Sequence, residues 1–288
     1  MGVRLLVTGS AGQLGTEFCN TLSEKFDMAG ISRKDADIRD YGQVMSAVNK
    51  HRPEIIIHTA ALTDVDACEK DQSAAMEINA SGARNVALAA QKAGAAIIYF
   101  STDYVFDGSK NTAYTESDSP NPISQYGFSK LMGEKIIMEF HGNWTIIRTG
   151  WVYSQHGKNF IKSIISTAKK KEKTLQVVND QFGSPTWTKD IVLQTAGIIE
   201  SNESGLFHVT SKGEMSRYEL AGQVLNKLIP TAKIEPCQTQ DFPRPALRPA
   251  RSSLRSERLE SLGIDIMRPI QASLDEFLNQ YGEELLHE

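Results

Sequence analysis

The chain has 288 residues, 40% hydrophobic and 23% charged, with a formal net charge of −4; this describes an ordinary globular protein with ample core, and leaves no electrostatic footprint for nucleic acid. No apolar run approaches the ~18 residues of a membrane span, and the opening MGVRLLVTGS reads as a strand rather than a secretion signal. Cys19, Cys68 and Cys237 stand far apart without C-x-x-C or Cys/His spacing, which argues against a disulfide framework or a zinc site and suits a reducing, cytoplasmic compartment.

Short apolar runs at 4–8, 28–32, 54–60, 96–101 and 144–149 read as strands, and helical patterns at about 13–25, 41–51, 71–93 and 126–140 separate them. Near-continuous apolar strands alternating with amphipathic helices predict an α/β, doubly wound parallel sheet of the Rossmann type. Between the first strand and the first helix, Gly9, Gly12 and Gly15 in VTGSAGQLG provide a tight turn, backbone approach to a pyrophosphate and close helix packing. At the end of the second strand stand Ser32, Arg33 and Lys34 instead of an acidic residue, so positive groups favour the 2′-phosphate of NADPH over NADH, with dual use left open.

The third strand runs into HTAALTDVD, where Ala60 and Ala61 allow a ring or ribose to lie close to the backbone and His58 reads as a satisfied internal histidine. Ser101, Thr102 and Asp103 follow the fourth strand, on the side where ligands gather in open parallel sheets. Tyr126 and Lys130 then share one face of a helix, a spacing that serves either proton delivery or plain surface decoration. That helix reads as apolar nearly all round, through Phe128, Leu131, Met132, Ile136, Ile137 and Phe140.

After Thr149 the texture changes. A helix at 159–171, the strand TLQVV, a loop NDQFGSPT, a helix near 188–200 and the strand GLFHV lead to a Pro- and Arg-rich stretch at 230–253, with closing helices near 254–261 and 270–281. Lys169, Lys170, Lys171 and Lys173 read as the solvated end of a helix, where cations suit the dipole. GLFHV reads as a return to the main sheet. The expected division is a dinucleotide-binding lobe of 1–153 with 187–210, and a smaller lobe of 154–186 with 211–288.

A Gly-rich turn, a hydroxyl at the end of strand four and Y-x-x-x-K, in that order, resemble the extended short-chain dehydrogenase/reductases. The segments TGSAGQLG, HTAALTDVDACE, INASGARNVA, STDYVFDG, YGFSK, IIRTGWVY, VVNDQFGSPT and RPARSSL resemble most the dTDP-4-dehydrorhamnose reductase family, over nearly the whole length. The resemblance implies NADPH-dependent reduction of the C4 keto group of a dTDP-sugar for surface polysaccharide, with the smaller lobe binding substrate. It implies cofactor contacts at Gly12, Gln13, Leu14, Asp37, Ile38, Ala60, Ala61, Leu62, Tyr126 and Lys130, and sugar contacts at Thr102, Asp103 and Trp151. Catalysis falls to Tyr126, Lys130 and Thr102, with Lys130 and the oxidised nicotinamide together drawing the phenol pKa down towards the working pH. Arg248 and Arg251 are candidates for the diphosphate, because guanidinium binds phosphate bidentately.

Two departures stand out: Gly150 where the family more often has serine, and Leu62 where His or Tyr is common. Asp103-Tyr104 replaces the Asp-Glu pair of the related 4,6-dehydratases. An epimerase, another nucleotide-sugar 4-reductase and a catalytically silent cofactor-binding subunit stay as alternatives. The resemblance allows a homodimer and leaves Mg2+ open, with Glu17 aligned loosely to an acidic position used by some members.

Overall fold

The structure is a computed structural model that describes residues 2–140, 142–170 and 174–287. Its first half comprises β1 (Arg4–Thr8), α1 (Gln13–Thr21), β2 (Asp27–Ile31), α2 (Tyr41–His51), β3 (Ile55–His58), α3 (Val65–Lys70), α4 (Gln72–Met76), α5 (Gly82–Ala93), β4 (Ala96–Thr102), α6 (Gln125–Phe140) and β5 (Trp144–Thr149). The second half comprises β6 (Val152–Tyr153), α7 (Phe160–Lys170), β7 (Leu175–Val178), β8 (Phe182–Gly183), β9 (Thr186–Trp187), α8 (Thr188–Glu200), β10 (Gly205–His208), β11 (Met215–Ser216), α9 (Arg217–Leu228), β12 (Ile234–Cys237), α10 (Glu257–Leu262) and α11 (Ile270–His287).

Six strands form one parallel sheet in the order β10-β5-β4-β3-β1-β2. Alternate side chains serve opposite faces, as the strand period requires. Leu5 and Val7 pack with Phe18, Ile191 and Phe207 under α1 and α8. Leu6, Ile56 and Ile97 pack with Val44, Val86 and Ile137 under α2, α5 and α6. A third core, built from Tyr153, Ile161, Trp187, Leu220, Leu274 and Phe277, joins α7, α9 and α11. Leu259 and Met267 pack instead on the first face of the sheet. The strand order reverses between β1 and β3, and the crevice there, beyond the strand carboxyl ends, is where such sheets take ligands.

Several expectations need correction. The helix expected over 71–93 is interrupted by a wide π-helical turn, Glu77–Ser81, and an extra helix, α3, precedes it. The Pro- and Arg-rich stretch contains β12, which pairs with β7. α6 is not apolar all round: Phe128 is 44% exposed, whereas Ser129, Lys130 and Glu134 are buried. Lys169 and Lys170 end α7 exposed, as expected of a solvated helix end, and Lys171 and Lys173 lie outside the described residues. No helix among the described residues is long and apolar enough to cross a membrane.

Candidate active site

One cleft of about 630 Å³ runs over the carboxyl ends of the sheet strands. It is lined by Gly9, Gly12, Gln13, Leu14, Gly15, Arg33, Asp37, Ile38, Ala60, Ala61, Leu62, Thr102, Asp103, Tyr126, Lys130 and Trp151. Residues from Gly9 to Trp151 thus meet at one place.

At one end the three glycines do separate work. Gly9 has φ +73°, and a Cβ there would lie 2.8 Å from the Ala60 backbone. A Cβ on Gly15 would lie 2.2 Å from the Gly9 carbonyl, so the first turn of α1 closes only around glycine. Gly12 caps α1 without a side chain, and no acidic residue occupies the first turn. The first N–H groups of that helix therefore face the cleft free for an anion such as a pyrophosphate. The turn is held from the second half of the chain: Asn159 Nδ2 donates to Gln13 Oε1 at 3.1 Å, and Gln13 Nε2 donates to the Lys158 carbonyl at 3.0 Å.

Beyond β2, Arg33 is exposed and its Nε lies 3.5 Å from Asp37. Arg39, which the sequence pattern does not single out, also lines the cleft and forks onto Asp37 at 2.6–3.1 Å, holding that carboxyl far below its ordinary range. Lys34 does not line the cleft. Asn85 donates to the carbonyls of Ile38 and Arg39, both at 2.9 Å, and so fixes this wall from α5.

The chemistry-bearing groups converge at the centre. Thr102 ends β4, and its hydroxyl accepts from Tyr104 N at 3.1 Å, donates to Asp103 Oδ1 at 3.0 Å and lies in hydrogen-bonding reach of Tyr126. Tyr126 and Lys130 rise from the first turns of α6. Burial pushes the Tyr126 phenol up, and the Thr102 hydroxyl opposes this only in part. The Lys130 ammonium is 4.1 Å from the centre of the Tyr99 ring, and burial outweighs the other influences on the phenol. Desolvation brings Lys130 itself down to about 7, against the opposing charge of Glu134.

Glu134 lies one turn beyond Lys130 and is pinned in a buried fork by Arg148 of β5, at 2.9 and 2.7 Å, and by the Ser101 hydroxyl at 2.5 Å. A second clamp comes from the π turn. Asn79 accepts from Leu62 N at 2.8 Å, donates to Leu62 O at 3.0 Å and to Ser129 Oγ at 2.9 Å. Neither clamp is evident from spacing, because each joins residues far apart in the chain. His58 is buried on the Thr8 hydroxyl at 2.7 Å and depressed to about 3 by desolvation, the satisfied internal histidine expected.

Asp103 is buried with its Oδ2 unpartnered, and burial raises its carboxyl to about 6. A Cβ on Gly150 would lie 2.4 Å from Asp103 Cγ, so the missing serine is what leaves room for this carboxylate. Trp151, at φ +49°, packs against Gly183, where a Cβ would come within 2.3 Å of the indole. Arg248 and Arg251 do not line the cleft. Arg248 is tied to Asp66 at 2.8 Å; Arg251 pairs with Glu214, over the Phe182 ring, beside a separate cavity. Both guanidinium groups are occupied by carboxylates distant in sequence. Glu17 is buried and accepts from Thr21 and Thr188 at 2.8 and 2.9 Å. Among the described residues no three His, Cys, Asp or Glu side chains group as metal ligands.

Comparison with known proteins gives the same reading from another direction. Residues 3–283 match the profile of the RmlD substrate binding domain. The dTDP-4-dehydrorhamnose reductase of Burkholderia thailandensis is 35% identical, over 92% of this chain and 94% of its own. The spore coat polysaccharide biosynthesis protein SpsK of Bacillus subtilis is 37% identical, over 91% and 92%. Among solved structures, the dTDP-4-dehydrorhamnose reductase of Bacillus anthracis in complex with NADP superposes with a TM-score of 0.93 at 37% identity, covering 97% of this chain and all of that one. With a family profile over almost every residue and such relatives matched nearly end to end, the chain belongs to the RmlD family of dTDP-4-dehydrorhamnose reductases.

Proposed function

We propose that this protein uses NADPH to reduce the C4 keto group of dTDP-4-dehydro-L-rhamnose, forming dTDP-L-rhamnose for a surface polysaccharide. The observation that carries the reading is the convergence of Thr102, Tyr126 and Lys130 in the same cleft as an open helix N-terminus and its glycine turn. The names and the NADP complex of the reductases most like this chain support the cofactor and the sugar, and the spore coat relative supports the destination.

Gly9, Gly12, Gln13, Leu14 and Gly15 would hold the pyrophosphate of the dinucleotide. Arg33 and Arg39 would meet its 2′-phosphate, Asp37 and Ile38 would flank the adenine, and Ala60, Ala61, Leu62 and Lys130 would line the nicotinamide ribose. Bound there, NADPH supplies the hydride for the keto carbon. The protein supplies the proton and the alignment. Tyr126, kept protonated by burial, donates to the keto oxygen, and Thr102 holds that oxygen in line. Once the proton has left, the Lys130 ammonium stabilises the phenolate one turn away. General acid assistance of this kind is worth ~10²–10⁴-fold. Asp103 and Trp151 orient the sugar.

Asp37 and Asp103 are the carboxylates lining the cleft among the described residues, and Asp37 is engaged by Arg39. Tyr104 stands edge-on to Tyr126 at 6.0 Å, where a dehydratase would need a second carboxyl group. This supports reduction over dehydration. The third core supports a mainly substrate-binding lobe of 154–186 with 211–288, although Tyr153 and Trp187 also join it and Leu259 and Met267 pack on the sheet, and the sheet supports a cofactor lobe of 1–153 with 187–210. The free thiols of Cys19, Cys68 and Cys237 support a cytoplasmic setting. The test is loss of NADPH absorbance at 340 nm with dTDP-4-dehydro-L-rhamnose. Stoichiometric oxidation with formation of dTDP-L-rhamnose is expected; no oxidation above the rate without sugar would overturn the proposal.

A further inference from the structure

A nucleotide-sugar reductase must hold a diphosphate whose charges lie outside the reacting ring, and the two arginines expected for it are engaged elsewhere. The cleft has another. Arg217, the first residue of α9, lines the same wall as Trp151, Asp103 and Tyr104. Its guanidinium carbon is 3.4 Å from the centre of the Trp151 ring and 4.9 Å from that of Phe160. It lies close to Tyr104, and burial lowers its pKa, so its charge is carried at a cost.

Every other cation of the cleft has a different task. Arg33 and Arg39 lie at the β2 end on Asp37, Lys130 is in the catalytic group, and exposed Lys158 flanks the glycine turn through Gln13. Arg217 forms no ion pair among the described residues, although Asp103 is close enough to interact with it electrostatically. A guanidinium half-withdrawn from water, over an indole and short of a counter-ion, is a receptor for a phosphate-type anion. The second positive charge near it, Arg248, is fixed on Asp66 and raises the local potential without needing to move.

We propose that Arg217, held over the Trp151 ring at the substrate end of the cleft, binds the diphosphate of the nucleotide sugar. The assignment rests on the reductase reading above and sharpens it, since it makes the nucleoside diphosphate, and not the sugar alone, the anchor of the substrate.

The test is equilibrium titration of the NADP⁺-loaded enzyme with dTDP and, separately, with thymidine, for the parent, Arg217→Met and Arg217→Lys. Methionine keeps an apolar contact with Trp151 and removes the charge. Arg217→Met is expected to weaken dTDP about 10- to 100-fold, the range for a charge-assisted hydrogen-bonded contact, and to leave thymidine within about twofold. Arg217→Lys is expected to lose several-fold for dTDP alone, and it carries the comparison if the methionine variant does not fold. Unchanged dTDP affinity overturns the assignment, as does an equal loss for both ligands, which would mark an arginine that only props Trp151. Parent turnover is measured alongside. A parent that reduces the sugar while Arg217→Met keeps full dTDP affinity overturns this assignment alone; a parent that does not reduce it overturns the reductase reading.

Discussion

Lys130→Met should make the ligand-free protein more stable while abolishing its turnover. Burial brings the Lys130 ammonium from 10.5 down to about 7, with only Glu134 and Cys68 opposing. Between pH 7 and pH 10.5 the unfolded chain therefore holds a proton that the folded chain has released, and stability rises with pH across that window. One pH unit corresponds to ~1.4 kcal/mol at full difference. From pH 7, where the folded lysine is half protonated, to pH 9, this sums to about 2 kcal/mol. For a chain of this size that is about 4 °C in Tm. Methionine nearly fills the same volume and carries no proton, so the variant lacks the dependence. Thermal melts of both proteins at pH 7 and pH 9 isolate the lysine, because all other titrating groups are shared. The variant should melt higher at pH 7, and its lead should narrow by about 4 °C at pH 9. A lead that stays constant or widens would refute the claim that Lys130 is charged against its surroundings.

Tyr126→Phe should lower kcat by ~10²–10⁴-fold with NADPH affinity, read by fluorescence titration, within about twofold of the parent; near-parent turnover would remove Tyr126 as the proton donor. Glu134→Gln leaves the buried Arg148 guanidinium without its counter-charge and should lose about 3–5 kcal/mol in urea unfolding, far more than a surface ion pair, for which ~0.2–1 kcal/mol is usual. Gly150→Ser drives a Cβ into the Asp103 carboxylate; it should destabilise by about 1–3 kcal/mol and raise KM for the sugar nucleotide, and parent-like values of both would show that Asp103 is free to move aside.

Much of the sheet was legible because parallel strands buried on both faces leave short apolar runs, such as LLV at 5–7 and III at 55–57, that few other elements produce. The cofactor half of the site was legible for a related reason: it is built from a local turn in which Gly12 and Gly15 are required by contacts within a few residues, although Gly9 also makes room for the distant Ala60 backbone. α9 was missed although its signal was present. Ser216 and Glu219 form a capping box, and Leu220, Ala221, Val224 and Leu225 follow at helical spacing. Missing that helix hid Arg217 and left Arg248 and Arg251 as the visible cations. Their carboxylate partners, Asp66 and Glu214, are brought in only by the fold. The inward turn of Lys130 was legible from the apolar residues that share its face, but the burial of Glu134 was hidden, because the arginine that neutralises it belongs to another strand. The π turn has no local cause to read: Asn79 is set by two distant backbone groups of Leu62 and the hydroxyl of Ser129.

The late arrival of β10 has a consequence for how the chain is made. β5 pairs with β4 on one side and β10 on the other, and β10 ends at His208, 59 residues after Thr149. At synthesis rates of ~5–20 residues per second, the nascent sheet has an open, apolar edge at Trp144–Thr149 for roughly 3–12 s. Strand edges of that kind pair readily with other chains. A ribosome-bound fragment ending near Tyr153 is thus not a finished nucleotide-binding unit but an unsealed one. Until the chain returns with Gly205–His208, that edge of β5 has no partner in the sheet.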